Sequence, residues 1–320
     1  MIVEVIKELS KFGEIVPGSK KEKVLIEKIK EILEHGSDEI RVYPTRVLSW
    51  EEREVKLDCE AEAVALPYSG SGEGKLKVVK IKSLFEIPRA YLNAVNEGAE
   101  IVGFTLNDGT RRRFVVKYGT LLQYFGSEPP VPAVFLKEEP KGECYGYVRA
   151  EAREGMGYTV EATRNGKSDE YVIVSAHHDH FMTGEHDDLA GVALLRFINS
   201  EKRTVKLISF TAEEMGCFYD TLSWGCGARS YVDNLKNYPY FMIDIDFPDK
   251  TSVLFVSPGL ENVTTLTKLN VELRPQAYTN SYAFLRKGIP TITLSPLEER
   301  PYYHSDIDIV CFLYTSPSPR

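Results

Sequence analysis

The chain has 320 residues, 47 acidic and 39 basic, giving a net charge of −8 and a pI near 5.5. That balance argues against a nucleic-acid backbone or an anionic membrane as the main partner, and the length suits one large domain or a domain carrying a sizeable insertion. Charges interrupt the apolar positions of MIVEVIKELSKFGEIVPGSKKEK, and no later apolar run is long enough to span a bilayer. The expectation is a cytoplasmic chain acting on a small or peptidic substrate.

Ser19 followed by Glu22 reads as a capping box, and Leu25, Ile29, Ile32 and Leu33 recur at helical spacing until Gly36. From residue 46 to 149 the texture changes to strand-like runs, with a Gly/Ser loop at YSGSGEGK, a hairpin-like turn at NDGT and the proline cluster SEPPVPAVF. This stretch reads as an inserted β-rich module, so the enclosing domain is expected to comprise residues 1–45 and 150–310. Beyond it, strands are predicted at 171–176, 204–211, 240–246 and 289–294, with helices at 188–199 and near 261–270. Apolar strands alternating with helices imply an α/β fold: a mixed, mostly parallel sheet with helices on both faces. The tail CFLYTSPSPR, about residues 311–320, reads as non-native.

Five cysteines, at 59, 144, 217, 226 and 311, form no C-x-x-C pair, and the odd count argues against a full disulfide framework. Cys217 and Cys226 flank the loop GCFYDTLSWGC and could bridge it, but two thiols are the plainer expectation in a reducing compartment.

The segment VSAHHDHFMTGEHDDLAGVALL holds four of the chain's six histidines. Packing gives no reason to cluster His with Asp, whereas a metal centre needs such nitrogen and oxygen ligands. In an open α/β sheet the working site lies beyond the carboxyl ends of the strands. His177, Asp187, Glu213, Glu214 and His304 fall after predicted strands and Asp246 closes one, all on that edge. Two histidines with several carboxylates suit a pair of divalent ions sharing one carboxylate better than a closed structural zinc. Asp179 is placed to accept the other ring N–H of His177. Asp244 rivals Asp246, because strand alternation points both the same way.

His177-x-Asp179, Asp187-Asp188-x-x-Gly191, Glu213-Glu214-x-Gly216, Asp246 and Pro-Tyr-Tyr-His304 resemble, in that order, the zinc exopeptidase family of bacterial leucyl aminopeptidase and glutamate carboxypeptidase. PGSKKEK, GARSYV and FLRKGIP extend the resemblance, and AVNEGAEIVGF with PVPAVFL looks like the protease-associated module that many members carry. The resemblance implies a zinc-peptidase/phosphorylase-like sheet and two zinc ions, with Co2+ or Mn2+ as alternatives. Asp187 would bridge them, Glu214 and His304 completing one and His177 and Asp246 the other. Glu213 would be the general base, Asp179 an orienting residue, and Tyr303 a donor to the oxyanion.

The implied activity is removal of N-terminal residues from peptides. The alternatives are a carboxypeptidase for acidic peptides, a single-zinc glutaminyl cyclase and a non-catalytic receptor-like homologue. Two departures from the family pattern are His186 ahead of Asp187-Asp188 and Thr279-Asn280-Ser281 where Ser-Asp-His is common. His178 and His180 read as packing residues and His35 as exposed. Arg111-Arg112-Arg113 reads as a solvated face, with a substrate clamp as the alternative. Tyr278, Tyr282 and Phe284 read as core, with a pocket lining as the alternative.

Overall fold

The computed structural model describes residues 2–116, 131–217 and 224–310. Helices α1 (Ile2–Ser10) and α2 (Lys20–Glu34) lead into a long strand, β1 (Glu39–Leu57). Then come β2 (Ala63–Ala65), β3 (Gly72–Lys80), α3 (Ile87–Asn96), β4 (Ile101–Thr105) and β5 (Ala133–Leu136), before β6 (Tyr145–Arg164) returns alongside β1. The remainder comprises β7 (Ser168–His177), α4 (Ala190–Leu195), β8 (Arg203–Phe210), α5 (Cys226–Asp233) and β9 (Met242–Ile245). It closes with β10 (Ser252–Val256), β11 (Val271–Glu272), α6 (Ser281–Leu285) and β12 (Thr291–Pro296).

The strands pair in the order β11-β10-β12-β9-β7-β8-β6-β3-β4-β5-β2, with β1 on β6. β12, β9, β7 and β8 run parallel, flanked by antiparallel β10 and β6, so the sheet is mixed and mostly parallel as the pattern predicts. Alternation along β7 explains its continuous apolar run. Val172 and Val174 join Val5, Leu9, Leu25 and Ile29 of α1 and α2 on one face, while Ile173 joins Tyr231 and Phe284 of α5 and α6 on the other.

Two predicted helices shrink. Glu185–Leu189 forms a wide turn in which Asp187 and Asp188 leave helical φ/ψ, so regular helix begins only at Ala190. Near 261–270 the described structure is a short 3-10 turn, Glu261–Thr265, whose Val263, Thr264 and Thr265 are β-branched and poor helix formers.

β1 and β6 pair from Glu39 with Thr163 to Leu57 with Gly146, interrupted by a bulge between Glu52 and Glu54. The divisions expected at 45/46 and 149/150 therefore lie inside two unbroken strands. This ribbon leads to a second apolar core that includes Leu84, Ile87, Tyr91, Phe104 and Phe135. The NDGT turn makes no hairpin: β4 pairs in parallel with β3 and β5, and the chain beyond the turn reaches Arg112, which bridges to Ser305. Cys59 and Cys144 form a disulfide that the cysteine spacing did not reveal, whereas Cys217 and Cys226 stay thiols as expected. Cys311 and the tail expected to be non-native lie outside the described residues. Among the described residues, no helix is long and apolar enough to cross a membrane.

Ser19 caps α2, accepting the Glu22 amide at 3.1 Å. The Glu22 carboxylate does not complete a capping box. Fully buried, it accepts the Gly18 amide at 2.6 Å, the Tyr158 amide at 3.3 Å and the Thr211 hydroxyl, and it faces Nε2 of His178 at 3.3 Å. One side chain thus ties the start of α2 to β6 and to the exit of β8. Glu22→Ala strands several buried donors at once and should lower the unfolding free energy by roughly 3 kcal/mol. A melting midpoint within about a degree of the wild type would show that this network contributes nothing.

Candidate metal centre

Every expected site residue lies at the carboxyl end of the parallel strands. His177 closes β7, Asp187 sits in the turn before α4, and Glu213 and Glu214 follow β8. Asp246 follows β9 directly, and His304 is in the loop after β12. Asp187 lies between the two histidines, with Oδ1 3.4 Å from Nε2 of His177 and Oδ2 3.3 Å from Nε2 of His304. Nε2 of His304 also lies 2.9 Å from Oε1 of Glu214. Ligand atoms of His177, Asp187 and Glu214 lie within 4.8 Å of one another. Asp246 shares a pocket with Asp187, Glu213, Glu214 and His304.

The partners of the outer ring nitrogens fix both tautomers. Nδ1 of His177 faces the backbone carbonyl of Asp179 at 2.8 Å, and Nδ1 of His304 faces the carbonyl of Arg113 at 3.2 Å. A carbonyl only accepts, so each Nδ1 carries the hydrogen and each Nε2 turns toward Asp187. The carboxylate of Asp179 does not take the His177 proton as expected: it stands 3.9 Å away and accepts the amides of Glu213 and Glu214 at 2.9 and 3.1 Å. Asp179 therefore orients His177 through its backbone and fixes the Glu213-Glu214 loop through its side chain. Its burial raises the carboxyl to about 6.

The buried carboxylates fall into two groups. Those behind the pocket have donors: Asp188 takes the amides of His177 and Gly191, and Asp244 takes the Ser175 hydroxyl at 2.6 Å and the Ser281 amide at 2.9 Å. Asp308 takes the ring of His186 at 2.6 Å and the amides of His186 and Asp187. Facing the pocket, Oδ2 of Asp187 and Oε1 of Glu213 have no hydrogen-bond donor.

Burial pushes the carboxyls of Glu213 and Asp246 well above the usual range, and that of Glu214 up as well. Burial opposes the charged form of His304, but Glu214 and Asp187 outweigh it and lift the imidazole to about 10. No lysine or arginine stands among the described residues lining this pocket. Imidazole nitrogens and bare carboxylate oxygens facing one another, with a surplus of negative charge, match the donor set of divalent cations. His177, Asp187, Glu214, Asp246 and His304 fit such ions.

The walls are aromatic. Tyr303 stacks on His304 with centroids 3.7 Å apart, its phenol pushed well up by burial, and Phe85, Phe114, Phe181, Trp224 and Tyr278 complete the lining. Tyr278 thus belongs to the pocket, whereas Phe284 is core. His178 is a packing residue, bound to Ser209 and Glu22. His180 is buried and held neutral, its pKa lowered by burial to about 4. His186 is engaged by Asp308, a residue the sequence reading passed over although it lies four positions after His304 in PYYHSDID. The arginine triplet is no solvated face, since Arg112 and Arg113 are buried.

Residues 159–312 match the model of Peptidase family M28. That stretch, just under half of the chain, is similar to a peptidase family M28 domain. The match supports a metal-dependent peptidase, a hydrolase. Its fold is shared with a zinc aminopeptidase from Bacillus subtilis, at TM-score 0.67 and 17% identity, covering 96% of this chain and 88% of that one. An aminopeptidase from Aneurinibacillus sp. strain AM-1 aligns at TM-score 0.61 and 19% identity, covering 96% and 87%. A Peptidase M28 precursor from Shewanella amazonensis SB2B aligns at TM-score 0.74 and 16% identity, covering 95% and 86%. A search of curated protein sequences finds no match.

The geometry separates the two rival aspartates, because the fold occupies the Asp244 carboxylate while Asp246 faces the pocket. Asp244→Ala should cost roughly 2 to 3 kcal/mol of stability by stranding its buried donors. Asp246→Asn should instead leave the melting midpoint of the metal-free protein near the wild-type value and reduce bound metal. The reverse pattern would exchange their roles.

Proposed function

We propose that the protein is an exopeptidase that removes N-terminal residues from peptides, using two zinc ions and Glu213 as general base. The observation that carries this is the position of Glu213. Its loop is pinned by Asp179, and its undonated Oε1 is buried at the pocket beside the donor set centred on Asp187.

His177 and Asp246 would hold one ion and Glu214 and His304 the other, with Asp187 shared between them. The two oxygens of Asp187 facing two separate histidines support that count. When bound, the ions supply Lewis acidity to the scissile carbonyl and lower the pKa of water. Glu213 takes a proton from the attacking water as the carbon–oxygen bond forms, then returns it to the leaving amine as the carbon–nitrogen bond breaks. Tyr303 keeps its proton because burial pushes the phenol well up, so it can donate to the oxygen on which charge develops. The aromatic wall accommodates an apolar side chain and keeps water from it.

A C-terminal carboxylate would meet no cation among the described lining residues, which favours the aminopeptidase over the carboxypeptidase. Residues 46–149 we read as a protease-associated insert carried by a catalytic domain of residues 1–45 and 150–310. The Cys59–Cys144 bridge favours an oxidising compartment over the cytoplasm expected from the N-terminus, since such bonds are rare where thiols are kept reduced.

Zinc per chain and hydrolysis of aminoacyl p-nitroanilides, before and after chelation, test the reading. Two ions and chelator-sensitive release of the N-terminal residue are expected; one ion with cyclisation of N-terminal glutamine would replace it with a glutaminyl cyclase. Glu213→Gln should retain both ions and lose at least about 100-fold in turnover, while Asp187→Ala should lose metal as well. Equal metal loss in both variants would remove Glu213 from its role.

A further inference from the structure

We infer that Arg111, Arg112 and Arg113, which reach the site from the module between β1 and β6, are positioning residues for His304 and so form part of the metal centre. The inference rests on the reading of the site as a metal centre. His304 sits on a loop with no regular structure and holds a left-handed φ of +55°, a conformation its β-carbon disfavours. Such a backbone persists only when its surroundings over-determine it.

The arginine triplet supplies that determination. Arg112 pairs with Ser305 in an antiparallel bridge, the Arg113 amide donates to the His304 carbonyl at 3.1 Å, and the Asp306 amide donates to the Arg111 carbonyl at 3.1 Å. The Arg113 carbonyl returns to Nδ1 of the same histidine at 3.2 Å, which leaves Nε2 as the ligand atom. The side chains repeat the grip. Arg112, only 1% exposed, donates to the carbonyls of Tyr303 and Pro301 and is held by Asp108, while Arg111 donates to the Asp306 carboxylate at 2.9 Å. Arg113 is anchored on the far side by Glu14 and Glu52 and lies over Trp50. Three consecutive residues of the module therefore set the path, tautomer and aim of one ligand. Partners that orient a ligand histidine commonly govern metal affinity by 10- to 100-fold.

The test is zinc affinity by chelator competition, with the absorption spectrum of the cobalt-loaded protein, for the wild type, Arg112→Gln and Asp306→Asn. The second variant loosens the clamp at a partly exposed carboxylate without emptying a buried site. Expected is one ion held roughly 10- to 100-fold more weakly, the other unchanged and an altered cobalt spectrum. The metal-free melting midpoint of Asp306→Asn should stay at the wild-type value. Wild-type affinity for both ions in both variants would overturn the inference, as would loss of both ions in step with loss of fold. A wild-type chain that binds no zinc would overturn the metal-centre reading itself, a result distinct from the other two.

Discussion

Packing many negative charges into one water-poor corner is the constraint from which the rest of this structure follows. A buried carboxylate without a partner is costly, and several together repel one another as well. Asp179, Asp188, Asp244 and Asp308 are each met by backbone amides, hydroxyls or an imidazole. Oδ2 of Asp187 and Oε1 of Glu213, turned to the pocket, have no such hydrogen-bond donor, so their compensation has to come from outside the chain. Division of labour among chemically identical side chains is thus set by hydrogen-bond supply. What looks in sequence like a uniform acidic cluster is a scaffold surrounding a reactive interior.

The same constraint shapes the backbone. Met182, Ala212, Phe247 and His304 all adopt positive φ without being glycine; Ala212 and Phe247 lie at the exits of β8 and β9, and Met182 and His304 in the loops after β7 and β12. Local strain of this kind collects where geometry serves chemistry. Gly227 shows the companion requirement of close approach, since a β-carbon there would lie 2.2 Å from the Thr211 carbonyl, next to the exit of β8.

Sheet class, strand sequence and the placement of His177, Asp187, Glu213, Glu214, Asp246 and His304 could be read from the chain because period-2 burial and the strand-end rule are local signals. The helix expected from Asp188 was misread because its apolar pattern begins before the backbone becomes helical. The arginine triplet was misread for a different reason. Charge in a sequence suggests solvent, and only the tertiary pairing with residues 301–306 shows that guanidinium groups can be buried against carbonyls. The role of Asp179 was half legible: its proximity to His177 was, but not that its backbone and side chain would serve different partners. The Cys59–Cys144 bond, spanning 85 positions, has no local trace at all.

The paired strands β1 and β6 run from one apolar core into the other with no intervening loop, and Phe114 reaches the pocket from the far core, with the exposed Phe85 packed edge-on against it. A double-stranded ribbon twists and flexes but has no joint at which to swing open. The pocket over the reactive carboxylates is accordingly lined from both cores, which one continuous ribbon joins.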